Sequence, residues 1–156
     1  MKYLDLLKAK RPCPFDDPKR EEVIVDNATA YLTYSIAGYH PDQLLVIPKR
    51  HITRIEEMTE REFRDCEDLQ KLGWELLKQL GHGGVSFVLR EGESTGKSIP
   101  HLHYNLMPDT QLGDMTAHGD EKRQVMNEAE IAATMARLRN ALARRRRSEA
   151  GESEML

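Results

Sequence analysis

The sequence predicts an α+β fold, an antiparallel sheet with helices on one face. Three observations carry this expectation. Short apolar or alternating runs crowd the first part of the chain, at 23–25, 30–36 and 44–47. One long helical repeat follows, from 59 to 80. Two further strand-like runs, at 85–89 and 101–107, precede a terminal helical pattern that begins near Asn127. Strands that come in groups, rather than in strict alternation with helices, favour antiparallel pairing with the helices set to one side.

Each element has its own signal. Residues 1–20 carry Pro12, Pro14 and Pro18 and read as an irregular arm after a short helix. Val23-Ile24-Val25 reads as a strand, Asp26-Asn27 as a turn, and Ala30 to Ile36 as the return strand of a hairpin. Gly38-Tyr39-His40-Pro41 is a loop, and Leu44 to Ile47 is a continuous apolar strand stopped by Pro48. Thr59 and Glu62 form a capping box. Phe63, Cys66, Leu69, Leu72, Leu76 and Leu80 then recur at helical spacing until Gly81 closes the helix. Cys66 lies on that stripe, which makes it a core residue rather than a reactive thiol. Val85 to Leu89 is a strand, and Glu91 to Ser98 a loop. The polar stretch from Thr110 to Glu121 reads as surface. Asn127 and Glu130 start a second helix, with Ile131, Met135, Leu138 and Leu142 as its apolar stripe.

Length and composition bound the rest. At 156 residues the chain holds one domain with a real core, expected over 1–143. Residues 144–156, basic and then acidic, are expected to be a tail without regular structure. Arg144 to Arg147 suit the dipole of a helix that ends there. No aromatic residue interleaves them and Glu149, Glu152 and Glu154 follow, so nucleic acid is not an expected partner. Hydrophobic residues make up 39% and charged residues 31%, a soluble globular composition. No apolar run approaches a membrane span, and Met1-Lys2-Tyr3-Leu4-Asp5 lacks the apolar core of a signal peptide. Cys13 and Cys66 make no disulfide framework, so a reducing cytoplasm is the expected setting. The net charge of −3 singles out no class of partner.

The chemistry concentrates in Ser98-Ile99-Pro100-His101-Leu102-His103-Tyr104-Asn105-Leu106-Met107-Pro108. Alternation puts His101, His103 and Asn105 on one face of a strand, and Leu102, Tyr104 and Leu106 on the other. Three uses fit such a row. It can be a solvated polar face, a pair of imidazoles on one metal ion, or an imidazole nucleophile with neighbours that position its substrate. Gly92 to Ser98 imitates a phosphate-binding P-loop but has three residues between its glycines instead of four, and Pro100 forbids the helix that should follow. That reading is rejected.

His101-Leu102-His103-Tyr104-Asn105-Leu106-Met107 resembles the signature of the histidine triad family, His-φ-His-φ-His-φ-φ with φ apolar, with Asn in the third place. Gln43-Leu44-Leu45-Val46-Ile47-Pro48-Lys49-Arg50-His51 is similar to the family's Gly-His-x-Leu-Val-Ile-Pro-Lys-x-His segment. The resemblance runs from about Cys13 to Pro108. It implies an antiparallel sheet of about five strands, usually paired into a homodimer. It also implies a nucleotide-processing enzyme acting on a nucleotide or dinucleoside polyphosphate. The middle histidine, here His103, would attack an α-phosphate, and water or another acceptor would then remove the nucleotidyl group. His101 and Asn105 complete the catalytic set.

The same resemblance assigns the surroundings. Gly96, Lys97 and Ser98 stand where the family cradles the attacked phosphate. Arg90 replaces a common Asn, and with Lys97 it adds charge for further substrate phosphates. Ser35 stands about where an Asp grips the ribose hydroxyls, and Gln43 where an additional His is frequent. Asn105 cannot give a leaving group a proton as His can. Galactose-1-phosphate uridylyltransferases and diadenosine tetraphosphate phosphorylases carry Gln there and pass the nucleotidyl group to a phosphate. The expected activity is therefore that of a nucleotidyl hydrolase or a transferase or phosphorylase. The alternative is a non-catalytic nucleotide or polyphosphate binder.

In metal-containing members, a Cys-x-x-Cys pair is joined by the His after Pro-Lys-x and by the first triad His. The matching positions are Cys13, Asp16, His51 and His101, with Asp in the second Cys place. Zinc accepts all three residue types, which makes it a candidate occupant and not a required cofactor. His40, His82 and His118 read as loop histidines with no specific role.

Overall fold

The structure is a computed structural model that describes residues 12–97, 99–111 and 124–155. Ser98, His118, the short helix expected near the N-terminus and most of the polar stretch after Thr110 lie outside the described residues. Five strands form one sheet: β1 (Val25–Asp26), β2 (Ala30–Tyr34), β3 (Leu44–Pro48), β4 (Val85–Leu89) and β5 (Tyr104–Pro108). Their order across the sheet is β1-β2-β3-β5-β4, and every neighbouring pair is antiparallel. Helices α1 (Glu60–Gln79) and α2 (Glu128–Met155) complete the expected α+β fold. Among the described residues, no helix is long and apolar enough to cross a membrane.

Both helices share one core with the sheet. Leu32, Leu44, Val46, Leu102 and Leu106 meet Cys66, Leu69, Leu76 and Leu77 of α1, and Met135, Leu138 and Leu142 of α2 join them. Gly73 lets α1 lie close to the strands, since a Cβ there would stand 2.6 Å from Leu106 Cδ2. Both ends of α1 are satisfied. Thr59 Oγ1 accepts from Glu62 N at 3.1 Å, and the Glu62 carboxylate accepts from Thr59 N at 3.0 Å. At the far end Gly81 takes a φ of +96°, while Gly81 N and His82 N donate to Lys78 O and Leu77 O. Phe63 departs from the expected stripe and stays 39% exposed. The inward positions of that first turn belong to Glu62 and Asp65, whose carboxylates hydrogen-bond to Thr59 and Arg50 and to Thr29 and Arg61.

β1 covers Val25–Asp26 instead of 23–25, which moves the turn past Asp26, and two larger boundaries also need correction. β5 starts at Tyr104, so His101 and His103 stand ahead of the strand that was expected to carry them. The ladder stops because Leu102 N donates instead to Ile52 O, beyond the end of β3, at 2.7 Å. The facing survives: Leu102 and Leu106 are fully buried on the α1 side. The expected tail is the second correction. α2 runs through Arg144–Arg147 to Met155, so these arginines sit in mid-helix. Ala, Arg, Glu and Met are strong helix formers, and Arg145 pairs with Glu149 one turn on, at 3.0 Å, and with Glu75 of α1.

The opposite face of the sheet is covered by the N-terminal arm. Phe15 and Val23 pack against Tyr31, Leu45 and Ile47. Tyr31 Oη donates to Phe15 O at 2.6 Å, and Thr33 Oγ1 donates to Glu22 O. The arm thereby reaches the two histidines ahead of β5.

Candidate functional site

His103 is the better-prepared imidazole. Its Nδ1–H donates to the His101 carbonyl at 2.9 Å, which leaves the lone pair on Nε2. The Phe15 ring meets it edge-on, with centroids 4.9 Å apart. Burial foremost, and then the nearby Lys97 and Arg90 cations, push its pKa down to about 4 against the opposing carbonyl bond. The ring is therefore neutral at physiological pH.

His101 has other work. It is fully buried, with Nε2–H donating to Pro48 O at 2.8 Å. Its Nδ1 faces Asp16 Oδ1 at 3.0 Å and Cys13 Sγ at 3.6 Å. His51 Nδ1 meets the same Asp16 oxygen at 3.0 Å. The donor atoms of Cys13, Asp16, His51 and His101 all lie within 4.8 Å of one another. Tetrahedral zinc with N, O and S ligands spaces its donors by about 3.3–3.7 Å, so the group fits that ion. The hydrogen-bond pattern agrees. With Nε2–H committed to Pro48, Nδ1 of a neutral ring is an acceptor facing a carboxylate, and a cation resolves the contact.

Asn105 and Gln43 meet each other. Gln43 Nε2 donates to Asn105 Oδ1 at 3.1 Å, Asn105 Nδ2 donates to Val88 O at 3.3 Å, and Gln43 Oε1 accepts from Tyr39 N at 2.9 Å. This amide chain runs from the residue just before β3 through β5 to β4. Ser35 lines a different place, a pocket of about 390 Å³ with Gly38, His40, Pro41, Met126 and Thr134, and His103 is not part of its lining. Gly96 has a φ of +78° and Gly92 of +89°, and only a short turn, Glu93–Thr95, lies between them. Lys97 Nζ donates to Arg90 O at 3.0 Å and to Pro100 O at 2.8 Å. Arg90 Nη1 donates to Thr95 O at 3.3 Å, and its buried Nε has no partner among the described residues.

Sequence reasoning missed Phe15, whose only signal was its place between Cys13 and Asp16. It also passed over a second cluster. His82 lies between two carboxylates, with Nε2 on Asp42 and Nδ1 on Asp109, each at 2.8 Å. Arg137 of α2 holds the other Asp42 oxygen at 2.5 Å, and the His40 ring stands edge-on to His82.

The profile of the HIT domain family matches residues 18–112, more than half of the chain, and the chain belongs to that family. It is similar to a bis(5′-adenosyl)-triphosphatase of Dictyostelium discoideum, 22% identical over 91 residues, which are 58% of this chain and 61% of that relative. It is 31% identical to a HIT-like protein of Methanocaldococcus jannaschii, over 54% of this chain and 66% of the relative. The chain thus spans less than two thirds of these curated relatives. In fold it is like a Zn-bound histidine triad family protein from Mycobacterium smegmatis, with a TM-score of 0.65 and 15% identity over 94% of this chain and 95% of the other.

Proposed function

We propose that this protein is a nucleotide-processing enzyme, a nucleotidyl hydrolase or a transferase or phosphorylase, that works through a covalent nucleotidyl-imidazole at His103. One observation carries the reading: the bond from His103 Nδ1 to the His101 carbonyl, which leaves a neutral ring with its lone pair on Nε2. That pair attacks the α-phosphorus. The P–N bond forms, and the P–O bond to the leaving group breaks with its electrons on the departing oxygen. Water or inorganic phosphate then attacks the phosphorus, the P–N electrons return to Nε2, and a proton from an attacking water passes to solvent. Ser98, Gly96 and Asn105 are assigned to the phosphate, and Ser35 and Gln43 to the nucleoside end. A relative named for bis(5′-adenosyl)-triphosphate hydrolysis supports a dinucleoside polyphosphate as substrate.

Zinc is assigned to Cys13, Asp16, His51 and His101, where it would supply a structural clamp between the arm and the sheet. A homodimer and a cytoplasmic setting complete the proposal, both resting on the family resemblance and composition.

Intact-mass analysis after brief mixing with dinucleoside polyphosphates and sugar nucleotides tests the core of this reading. A nucleotidyl adduct is expected in the wild type and absent from His103→Ala. Product analysis with and without inorganic phosphate then identifies the acceptor. One observation favours the binding-protein alternative: the amides of Gln43 and Asn105 are engaged with each other. No adduct and no turnover across the panel would move the assignment there.

A further inference from the structure

We propose that Phe15 is a positioning residue for His103, and that its ring holds the imidazole in the orientation that presents Nε2 to a ligand. The inference rests on the proposed function and names what holds the nucleophile of that reaction in place.

His103 needs such a partner. It stands ahead of β5, beyond the ladder that ends at the Leu89–Tyr104 pair. Among the described residues its ring makes one hydrogen bond, from Nδ1 to the carbonyl of His101. The χ2 torsion of histidine is broad. One bond fixes which nitrogen faces the carbonyl, but it leaves the tilt of the ring plane soft. The Nε2 lone pair lies in that plane, so tilt misdirects it from a reacting atom. Tilt also opens Nδ1–H to water. A bond shared with water no longer fixes the tautomer, and the proton is then free to move to Nε2.

Phe15 supplies the second constraint. Its ring meets the His103 ring at 64° with centroids 4.9 Å apart, and the His101 ring at 74° and 6.1 Å. Edge-to-face pairs at such separations attract beyond the apolar area they bury. Phe15 is itself held. Tyr31 Oη, on β2, donates to Phe15 O at 2.6 Å, and the side chain packs against Tyr31, Leu45 and Ile47 of the sheet. On either side of it, Cys13 Sγ and Asp16 Oδ1 approach His101 Nδ1 at 3.6 and 3.0 Å. One short turn of the arm thus touches both histidines. A ring that served the core alone would bury itself among aliphatic side chains; Phe15 stays half-buried and lies against two imidazoles. A reacting group kept within about half an ångström of its working geometry needs support of this kind from rigid neighbours.

The test uses the full chain with Phe15→Leu, Phe15→Tyr and Tyr31→Phe, and two readouts. Ring nitrogen NMR shifts at about pH 8, where unperturbed imidazoles are neutral, report the tautomer of His103, whose signals are those that His103→Ala loses. The wild type should show a protonated Nδ1 and a bare Nε2. Phe15→Leu should move toward a mixture of the two tautomers, and Phe15→Tyr should restore the wild-type pattern. Tyr31→Phe, which keeps the ring and releases its backbone, should fall between. With a dinucleoside triphosphate, Phe15→Leu should lose about three- to tenfold in kcat, the scale of one aromatic pair. The inhibition constant of the nucleoside monophosphate should stay within about twofold. An unchanged tautomer in Phe15→Leu would overturn the inference. So would a monophosphate constant that rises in step with the lost turnover, since Phe15 would then be holding substrate. If Phe15→Leu fails to fold, the Tyr31→Phe spectrum decides, and a wild-type tautomer there overturns the inference. Absence of a His103 adduct would remove the proposed function, while the spectra would still decide whether Phe15 orients the ring.

Discussion

A single residue separates His101 from His103, and their surroundings assign them different work. His101 is sealed between the Pro48 carbonyl and the Asp16 carboxylate, so neither nitrogen is open to a ligand outside that cluster. His103 spends one nitrogen on the His101 carbonyl and keeps the other. In sequence the two positions are alike. What separates them comes from 85 positions upstream, where Asp16 enters, and from Pro48, 53 positions away. The metal reading belongs at this scale. Protein purified without chelators should carry about one zinc per chain, and Cys13→Ala should lose most of it and melt at a lower temperature. A wild-type metal content near zero ends the idea.

At the scale of the element, α1 shows why local signals read well. Its cap, its stripe and its closing glycine are all set by residues within four positions of each other, and the Thr59–Glu62 reciprocal bonds follow directly from their spacing. Thr59→Ala removes the side-chain acceptor from Glu62 N, while the backbone N–H of residue 59 and Arg50 still hold the Glu62 carboxylate. It should lower stability by about 1 kcal/mol, seen as a shifted denaturant midpoint with an unchanged slope. A midpoint equal to the wild type would show that the bonds to the Glu62 carboxylate hold the turn without the threonine hydroxyl. The misjudged stripe position, Phe63, has the opposite lesson. Helical spacing identifies a face, but the bonded carboxylates of Glu62 and Asp65 take the inward positions of its first turn.

Across the whole molecule, α2 is tied to the sheet by a chain of charges, Arg137–Asp42–His82–Asp109. Burial alone would lower the His82 pKa, but a carboxylate on each ring nitrogen outweighs it, and the folded value lies above the ordinary 6.5. The neighbouring His40, its own pKa lowered chiefly by burial, adds little positive charge. A raised folded pKa means that the imidazolium stabilises fully below the unfolded value, and that this stability is lost as pH rises through the folded value. The stability gap between wild type and His82→Asn should therefore be widest near about pH 6, on the order of 1 kcal/mol, and should shrink toward about pH 9. A gap that stays constant over that range would mean that hydrogen bonding, not charge, holds the cluster.

What the sequence determined by itself was the architecture and the family, because strand alternation, helical spacing, caps and the two spaced motifs are short-range patterns. The His-x-His-x-Asn row was legible for the same reason, and its facing follows from a two-residue repeat. Tertiary structure alone decided which distant groups meet. It brought Asp16 between His51 and His101, joined Gln43 to Asn105, and carried α2 past its expected end. It also took Ser35 to a pocket that His103 does not line. These outcomes depend on strand register, on the path of the arm across the sheet and on the direction of each side chain, and none of those is encoded within a single turn or strand of the sequence.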